Sequence, residues 1–272
     1  MGGNEPSPEV QRRRLVVASV LSAILIVGSF AVLIATGAGS GGSEAAVDRS
    51  PASAEPTGEP ASRPSPTATA TPEPVIPPFD KAARSIDDPA SIWVVVDKLR
   101  PLQPAEYEPA DLVPVPVAHT WEPVLRQEAA DAVVAMFGAA SQEAGLALAS
   151  NSAYRSFGAQ QNIYDGDDEL TARPGFSEHQ TGLAIDVGAE SGVCSLDVCF
   201  ADTPEGQWLR DNAHRFGFVL RYPADKQAVT GYQFEPWHFR YVGTDLAAEM
   251  RKQGITTLEE FFGLPPAPEY AG

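Results

Sequence analysis

Two histidines and two carboxylates in the second half of the chain have the types and spacing that metal-assisted hydrolysis requires. His179 lies in Phe176-Ser177-Glu178-His179-Gln180-Thr181-Gly182, seven residues before Asp186, and His238 lies in Glu235-Pro236-Trp237-His238-Phe239-Arg240. Two histidines and one aspartate, each on or beside a strand, can supply the three protein ligands of a catalytic Zn2+ and leave a fourth position for water. Glu235 stands three residues before His238, and Pro236 biases it toward extended backbone. Its carboxylate can then flank a metal without ligating it, the position of a general base. Spacing alone leaves an ordinary alternative open, in which these are hydrogen-bonded surface or core groups, because such pairs recur by chance.

The elements that must position these residues are legible from periodicity and punctuation. Apolar residues at Leu125, Ala129, Val133, Phe137, Ala140 and Ala144 predict an amphipathic helix over residues 121–144, ended by Gly145. Leu146, Leu148 and Ser150 begin a strand that runs toward Tyr154-Arg155-Ser156. Residues 183–187 predict a short strand with Leu183 and Ile185 on one face and Ala184 and Asp186 on the other. Thr203, Pro204 and Gly217 bracket a helix as N-cap, first-turn proline and terminating glycine. Residues 218–222, 231–235 and 238–242 read as strands, and residues 244–253 as a helix before Gly254. The mixture predicts an α+β domain with a small, mainly antiparallel sheet flanked by helices.

The 272-residue chain divides by composition before any of this structure begins. Residues 15–38 carry no charge, follow Arg12-Arg13-Arg14, and at about 1.5 Å per residue reach across a bilayer core of roughly 30 Å. They predict one transmembrane helix with residues 1–14 as a cytoplasmic tail. The run exceeds the usual signal-peptide core, which disfavours the alternative of a protein secreted after cleavage. Residues 39–78 are rich in Pro, Ser, Thr and Ala, lack aromatics, and predict a disordered linker. Residues 79–272 remain for the folded domain, which lies outside the cytoplasm on either reading. With 19 basic against 36 acidic residues and a net charge of -17, nucleic-acid binding is excluded.

Longer strings sharpen the reading of the site. Tyr154-Arg155-Ser156 with Gln160, Pro174 to Asp186, Thr203-Pro204-Glu205-Gly206-Gln207-Trp208-Leu209, His214-Arg215-Phe216-Gly217-Phe218, Arg221-Tyr222-Pro223 and Glu235 to Gly243 closely resemble the VanY-type D-alanyl-D-alanine carboxypeptidases. The resemblance runs from about Lys98 to Gly263, with the motifs in the family's order. It implies that His179, Asp186 and His238 hold Zn2+, that Glu235 is the base, and that Arg155 faces the scissile carbonyl. It further implies that Gln160 and Ser177 contact the peptide terminus, and that the substrate is a peptidoglycan stem peptide losing its terminal D-alanine. Two departures from the family pattern touch the substrate entrance: Ala153 stands where glycine is common, and residues 163–173 form a shortened segment.

Other features are assigned by the same weighing. Cys194 and Cys199 predict a local disulfide in an exported domain. Asp165-Gly166-Asp167-Asp168-Glu169 lacks the register of a calcium loop and reads as a solvated acidic turn. His119 and His214 belong to no ligand-spaced set and read as structural or exposed. The expected function is a membrane-anchored D,D-carboxypeptidase. The alternatives are an LD-carboxypeptidase acting on tetrapeptide stems, a cross-link endopeptidase disfavoured by the absence of a His-x-His pair, and a non-catalytic wall-binding module disfavoured by the presence of Glu235 and Arg155.

Overall fold

The computed structural model describes residues 78–271. The predicted anchor at 15–38 and all but the last residue of the predicted linker lie outside the described residues. Among the described residues no helix is long and apolar enough to cross a membrane.

The architecture is α+β. Helix α1 (Gln127–Ala144) buries Ala129, Val133, Met136, Phe137 and Ala140, a stripe at three- and four-residue steps that packs on the core. Gly145 ends it in the left-handed conformation at φ 67°, its N–H reaching the carbonyls of Ala140 and Ser141. The predicted start at residue 121 is corrected. Val124–Arg126 forms strand β2, paired antiparallel with β1 (Leu112–Pro114), so Leu125 is buried by a strand rather than by a helix face. The guanidinium of Arg126 ties this junction to Asp111 and to the carbonyl of Ala90.

The main sheet has the order β3-β4-β6-β5, antiparallel throughout, with β3 at Leu148–Ser152, β4 at Ala184–Ala189, β5 at Phe218–Leu220 and β6 at His238–Tyr241. Strand β4 is central and wholly buried; Ile185 and Val187 join Leu183 in the apolar core, as alternation predicts. Thr203 caps α3 (Pro204–Asn212) by accepting from the Gly206 N–H, and a 3-10 turn (Ala213–Phe216) carries the chain to Gly217. Helix α5 (Thr244–Gln253) ends at Gly254 as expected.

Three features depart from expectation. Residues 231–235 are not a strand. The Gln233 N–H donates instead to the Glu169 carbonyl and the Glu235 N–H to the Tyr222 carbonyl, which fixes the segment that carries Glu235. A short helix α2 (Phe157–Ile163), capped by the Ser156 side chain, follows β3 and was not signalled by periodicity. The run from Ile92 to Val96 is buried without joining a ladder; Arg240 donates to the carbonyls of Ile92 and Val94, which holds the run against the sheet. Two further short helices, α4 (Gln227–Thr230) and α6 (Leu258–Phe262), close the fold near its C-terminus.

Candidate active site

Strand register places the first two groups. Asp186 of β4 sits directly opposite His238 of β6, and its side chain points away from the face carrying Ile185 and Val187. His179 arrives from a 3-10 turn (Glu178–Thr181) that ends at Gly182, φ 66°. A Cβ at Gly182 would stand 2.8 Å from Leu112 Cδ2 and 3.0 Å from Arg126 Cγ, so the turn needs glycine for space as well as for conformation. His179 Nε2 lies 3.4 Å from Asp186 Oδ2, and His238 Nδ1 lies 3.4 Å from Asp186 Oδ1. One donor atom from each residue falls within 4.8 Å of the others, and all three residues are buried.

The chemistry of this donor set fits Zn2+. His179 Nδ1 is 2.7 Å from the Ala153 carbonyl, which fixes the proton on that nitrogen and leaves the Nε2 lone pair facing the cluster. Asp186 Oδ1 is buried and has no hydrogen-bond partner among the described residues. Such an orphaned acceptor between two imidazoles is what a bound cation satisfies. Burial pushes the His179 imidazolium down in pKa, favouring the neutral, ligating form. Burial alone would raise the Asp186 carboxyl, but the His179 imidazole, with His238 and Arg155, holds it below its ordinary value. Burial also works against charge on His238, yet Glu178, Glu235 and Asp186 around it raise its pKa to about 9 in the metal-free protein.

Glu235 and Arg155 reach the same cavity, which encloses about 240 Å3. Glu235 is 5 % exposed, its Oε2 is 3.4 Å from His238 Nδ1, and burial raises its pKa. Arg155 follows β3, where its backbone N–H donates to the His179 carbonyl. Its Nε donates to Gln160 Oε1 at 2.6 Å, and Gln160 Nε2 donates to the Ala172 carbonyl at 2.7 Å. Gln160 is therefore wholly buried, its carboxamide engaged within the protein, and it stands behind Arg155 rather than on the cavity wall. Ser177 does line the cavity, as do Tyr222 and Trp237.

Sequence reasoning passed over Glu178. It is fully buried beside His179, and its Oε1 accepts from Arg221 Nε and Arg240 Nη1, each at 2.8 Å. Arg221 also makes two bonds to Glu259, at 2.9 and 2.6 Å. The signal lay in the quoted strings, which carry Glu178, Arg221 and Arg240, all three buried in the fold. Among the remaining features, Cys194 and Cys199 are bonded as expected. Asp168 pairs with Arg173 and accepts from the Tyr164 hydroxyl, so the acidic turn is internally tied. His119 is exposed, and His214 sits in the 3-10 turn after α3; neither joins the cluster.

Comparison with known proteins agrees with this geometry. The family model for VanY, D-alanyl-D-alanine carboxypeptidase, matches residues 122–244. YodJ of Bacillus subtilis, assigned as a carboxypeptidase, is 42 % identical over 65 % of this chain and 69 % of its own length. A D-alanyl-D-alanine carboxypeptidase of Enterococcus faecium is 44 % identical over 41 % of this chain, which spans 35 % of that enzyme. Among solved structures, the LdcB LD-carboxypeptidase aligns with a TM-score of 0.60 at 42 % identity, covering 64 % of this chain and 87 % of LdcB. A mutant of the vancomycin-resistance D,D-pentapeptidase VanY, solved in complex with Zn(II), aligns with a TM-score of 0.51 at 30 % identity, covering 63 % of this chain and 98 % of its own. The described domain thus belongs to the VanY family of D-alanyl-D-alanine carboxypeptidases.

Proposed function

We propose that this protein is a zinc-dependent carboxypeptidase that removes the terminal D-alanine from peptidoglycan stem peptides ending in D-Ala-D-Ala. The observation that carries the reading is the meeting of His179, Asp186 and His238 donor atoms within 4.8 Å of one another, in the cavity that also holds Glu235 and Arg155. The three residues would hold the metal through His179 Nε2, the Asp186 carboxylate and His238 Nδ1. When bound, zinc lowers the pKa of water toward about 7 and polarises the scissile carbonyl. Glu235, with its pKa raised by burial, takes a proton from the attacking water and returns it to the leaving amine. The Arg155 guanidinium offsets the charge that builds on the carbonyl oxygen. Gln160 holds that guanidinium from behind, and Ser177 offers its hydroxyl to the peptide terminus.

The substrate class is supported by a VanY relative solved with D-alanine-D-alanine. A second reading, LD-carboxypeptidase action on tetrapeptide stems, is favoured by the higher identity and TM-score of the match to LdcB. We further propose single-pass anchoring by residues 15–38 with the domain outside the cell membrane, a placement supported by the Cys194 to Cys199 disulfide.

Mass analysis of the zinc-loaded protein with defined pentapeptide and tetrapeptide stems tests these readings. Loss of one alanine from the pentapeptide is expected. Loss from the tetrapeptide alone moves the assignment to the second reading, and loss from neither ends the hydrolase proposal.

A further inference from the structure

The mouth of the cavity is apolar, which its floor is not. Ile163, Leu170 and Leu196 line it while remaining 46 %, 44 % and 49 % exposed. Leu196 comes from the loop that the Cys194 to Cys199 disulfide closes. Val198 in that loop and Val193 just before it are also turned to solvent, at 56 % and 57 % exposure, but neither reaches the cavity. Cys194 and Leu196 are the two non-glycine residues with positive φ among the described residues, at 56° and 52°. An ordinary surface loop has no need of a leucine in a left-handed conformation, which costs roughly 1–2 kcal/mol. Residues kept in such conformations cluster where a side chain must be aimed.

We propose that the disulfide-closed loop is a specificity wall of the active site. Leu196, which lines the cavity together with Ile163 and Leu170, grips an aliphatic side chain of the peptide on the acyl side of the scissile bond. This inference rests on the carboxypeptidase reading above. In an enzyme that removes a terminal residue, that residue lies deepest and the rest of the peptide must leave through the mouth. The cavity of about 240 Å3 is smaller than the roughly 300–1,000 Å3 of sites that enclose a drug-sized ligand, so only the last residues fit inside. The next side chain therefore meets the half-exposed collar. Arg155, Glu235 and the His/Asp cluster supply the polar floor, and the collar supplies the apolar contact that discriminates by side-chain length. The staple holds Leu196 in place before substrate arrives, which reduces the entropy lost on binding.

The test compares acetyl-norleucyl-D-Ala-D-Ala with acetyl-glycyl-D-Ala-D-Ala, and the same pair lacking the last D-Ala for the tetrapeptide reading. The wild-type protein should favour norleucine over glycine in kcat/KM by about tenfold. Leu196→Ser, and separately the double variant Cys194→Ser with Cys199→Ser, should bring that ratio to within about twofold of unity. Val193→Ser, at the foot of the loop and outside the cavity, should retain it. Melting temperatures establish that each variant is folded. A wild-type ratio near one, or a wild-type ratio preserved in both Leu196→Ser and the double cysteine variant, overturns the wall. If the wild-type protein cuts neither pair, the hydrolase reading fails on its own account. The ratio of dissociation constants for the two peptides, measured by calorimetry on zinc-loaded Glu235→Gln protein and on the same variant carrying Leu196→Ser, then decides the wall by the same criterion.

Discussion

The second carboxylate oxygen of Glu178 stands 3.4 Å from His238 Nε2, on the side of the ring opposite Asp186. The separation is that of an ion pair outside hydrogen-bond geometry, since both atoms are buried without a hydrogen-bond partner. A carboxylate behind a ligating imidazole fixes its orientation and raises its basicity. Glu178 is itself held by Arg221 and Arg240, whose charges keep its carboxyl well below the usual range despite full burial. The order runs from two arginines to a carboxylate, from the carboxylate to an imidazole, and from the imidazole to the metal position. Glu178→Gln preserves shape and should weaken zinc binding by about 10- to 100-fold, read by competition with a chromophoric chelator. Glu178→Ala leaves the buried Arg240 without its carboxylate, while Arg221 keeps Glu259, and should cost about 3–5 kcal/mol of stability in urea unfolding. Unchanged zinc affinity in a folded Glu178→Gln protein would remove Glu178 from the site.

Glu235 is the proposed base, and its loss should separate chemistry from metal binding. Glu235→Gln should lower kcat on a pentapeptide stem by about 10^2- to 10^4-fold while zinc stoichiometry stays at one per chain. Metal content by atomic absorption and single-turnover rates measure the two effects. Native turnover in that variant would show that another group moves the proton.

The metal-free protein should have a pH dependence set by His238. Its folded pKa is about 9 against an ordinary value of 6.5, so between these values the native state keeps a proton that the unfolded chain has released. That contribution to stability is fully present below about pH 6.5 and is lost as pH rises through 9. His179, shifted down by burial, acts in the other window, and its contribution is lost as pH falls below 6.5. The melting temperature in chelator should therefore fall from pH 7 to pH 9. Zinc must displace the His238 proton, so the rise in melting temperature on adding zinc should grow across the same interval. A melting temperature in chelator that climbs over this range would contradict the assignment.

How much of this was legible in the sequence depends on whether a signal was local. Residues 183–187 and 238–242 were legible as strands and the donor set could be named from the family resemblance, but spacing alone left the ordinary alternative open, and the register that sets Asp186 opposite His238 is a tertiary fact. The boundary of α1 could not, because Leu125 gives the same apolar signal in a strand as in a helix, and only its pairing with Val113 decides. Residues 231–235 failed for a related reason: their composition suits a strand, but the Gln233 and Glu235 N–H groups find the carbonyls of Glu169 and Tyr222 instead of a ladder, a choice set by tertiary neighbours. Glu178 and Gln160 were missed as positioning groups because burial of a polar side chain is set by tertiary partners, here Arg240 from one strand and Arg155 from the end of another.

Gln160 offers the sharpest check on that last point. Its Oε1 takes the Arg155 Nε proton and its Nε2 is anchored on Ala172, so it should act on catalysis only through Arg155. Arg155→Ala should reduce kcat/KM by about 10^2- to 10^3-fold, the usual loss for one charge-stabilising donor. Gln160→Ala, which frees the guanidinium to leave its position, should reduce it by about tenfold and open a small cavity. With Arg155 already removed there is nothing left for Gln160 to hold, so the double variant should be no slower than Arg155→Ala alone. Additive losses in that cycle would instead place Gln160 in direct contact with the peptide terminus, the role that family resemblance suggested and that its burial argues against.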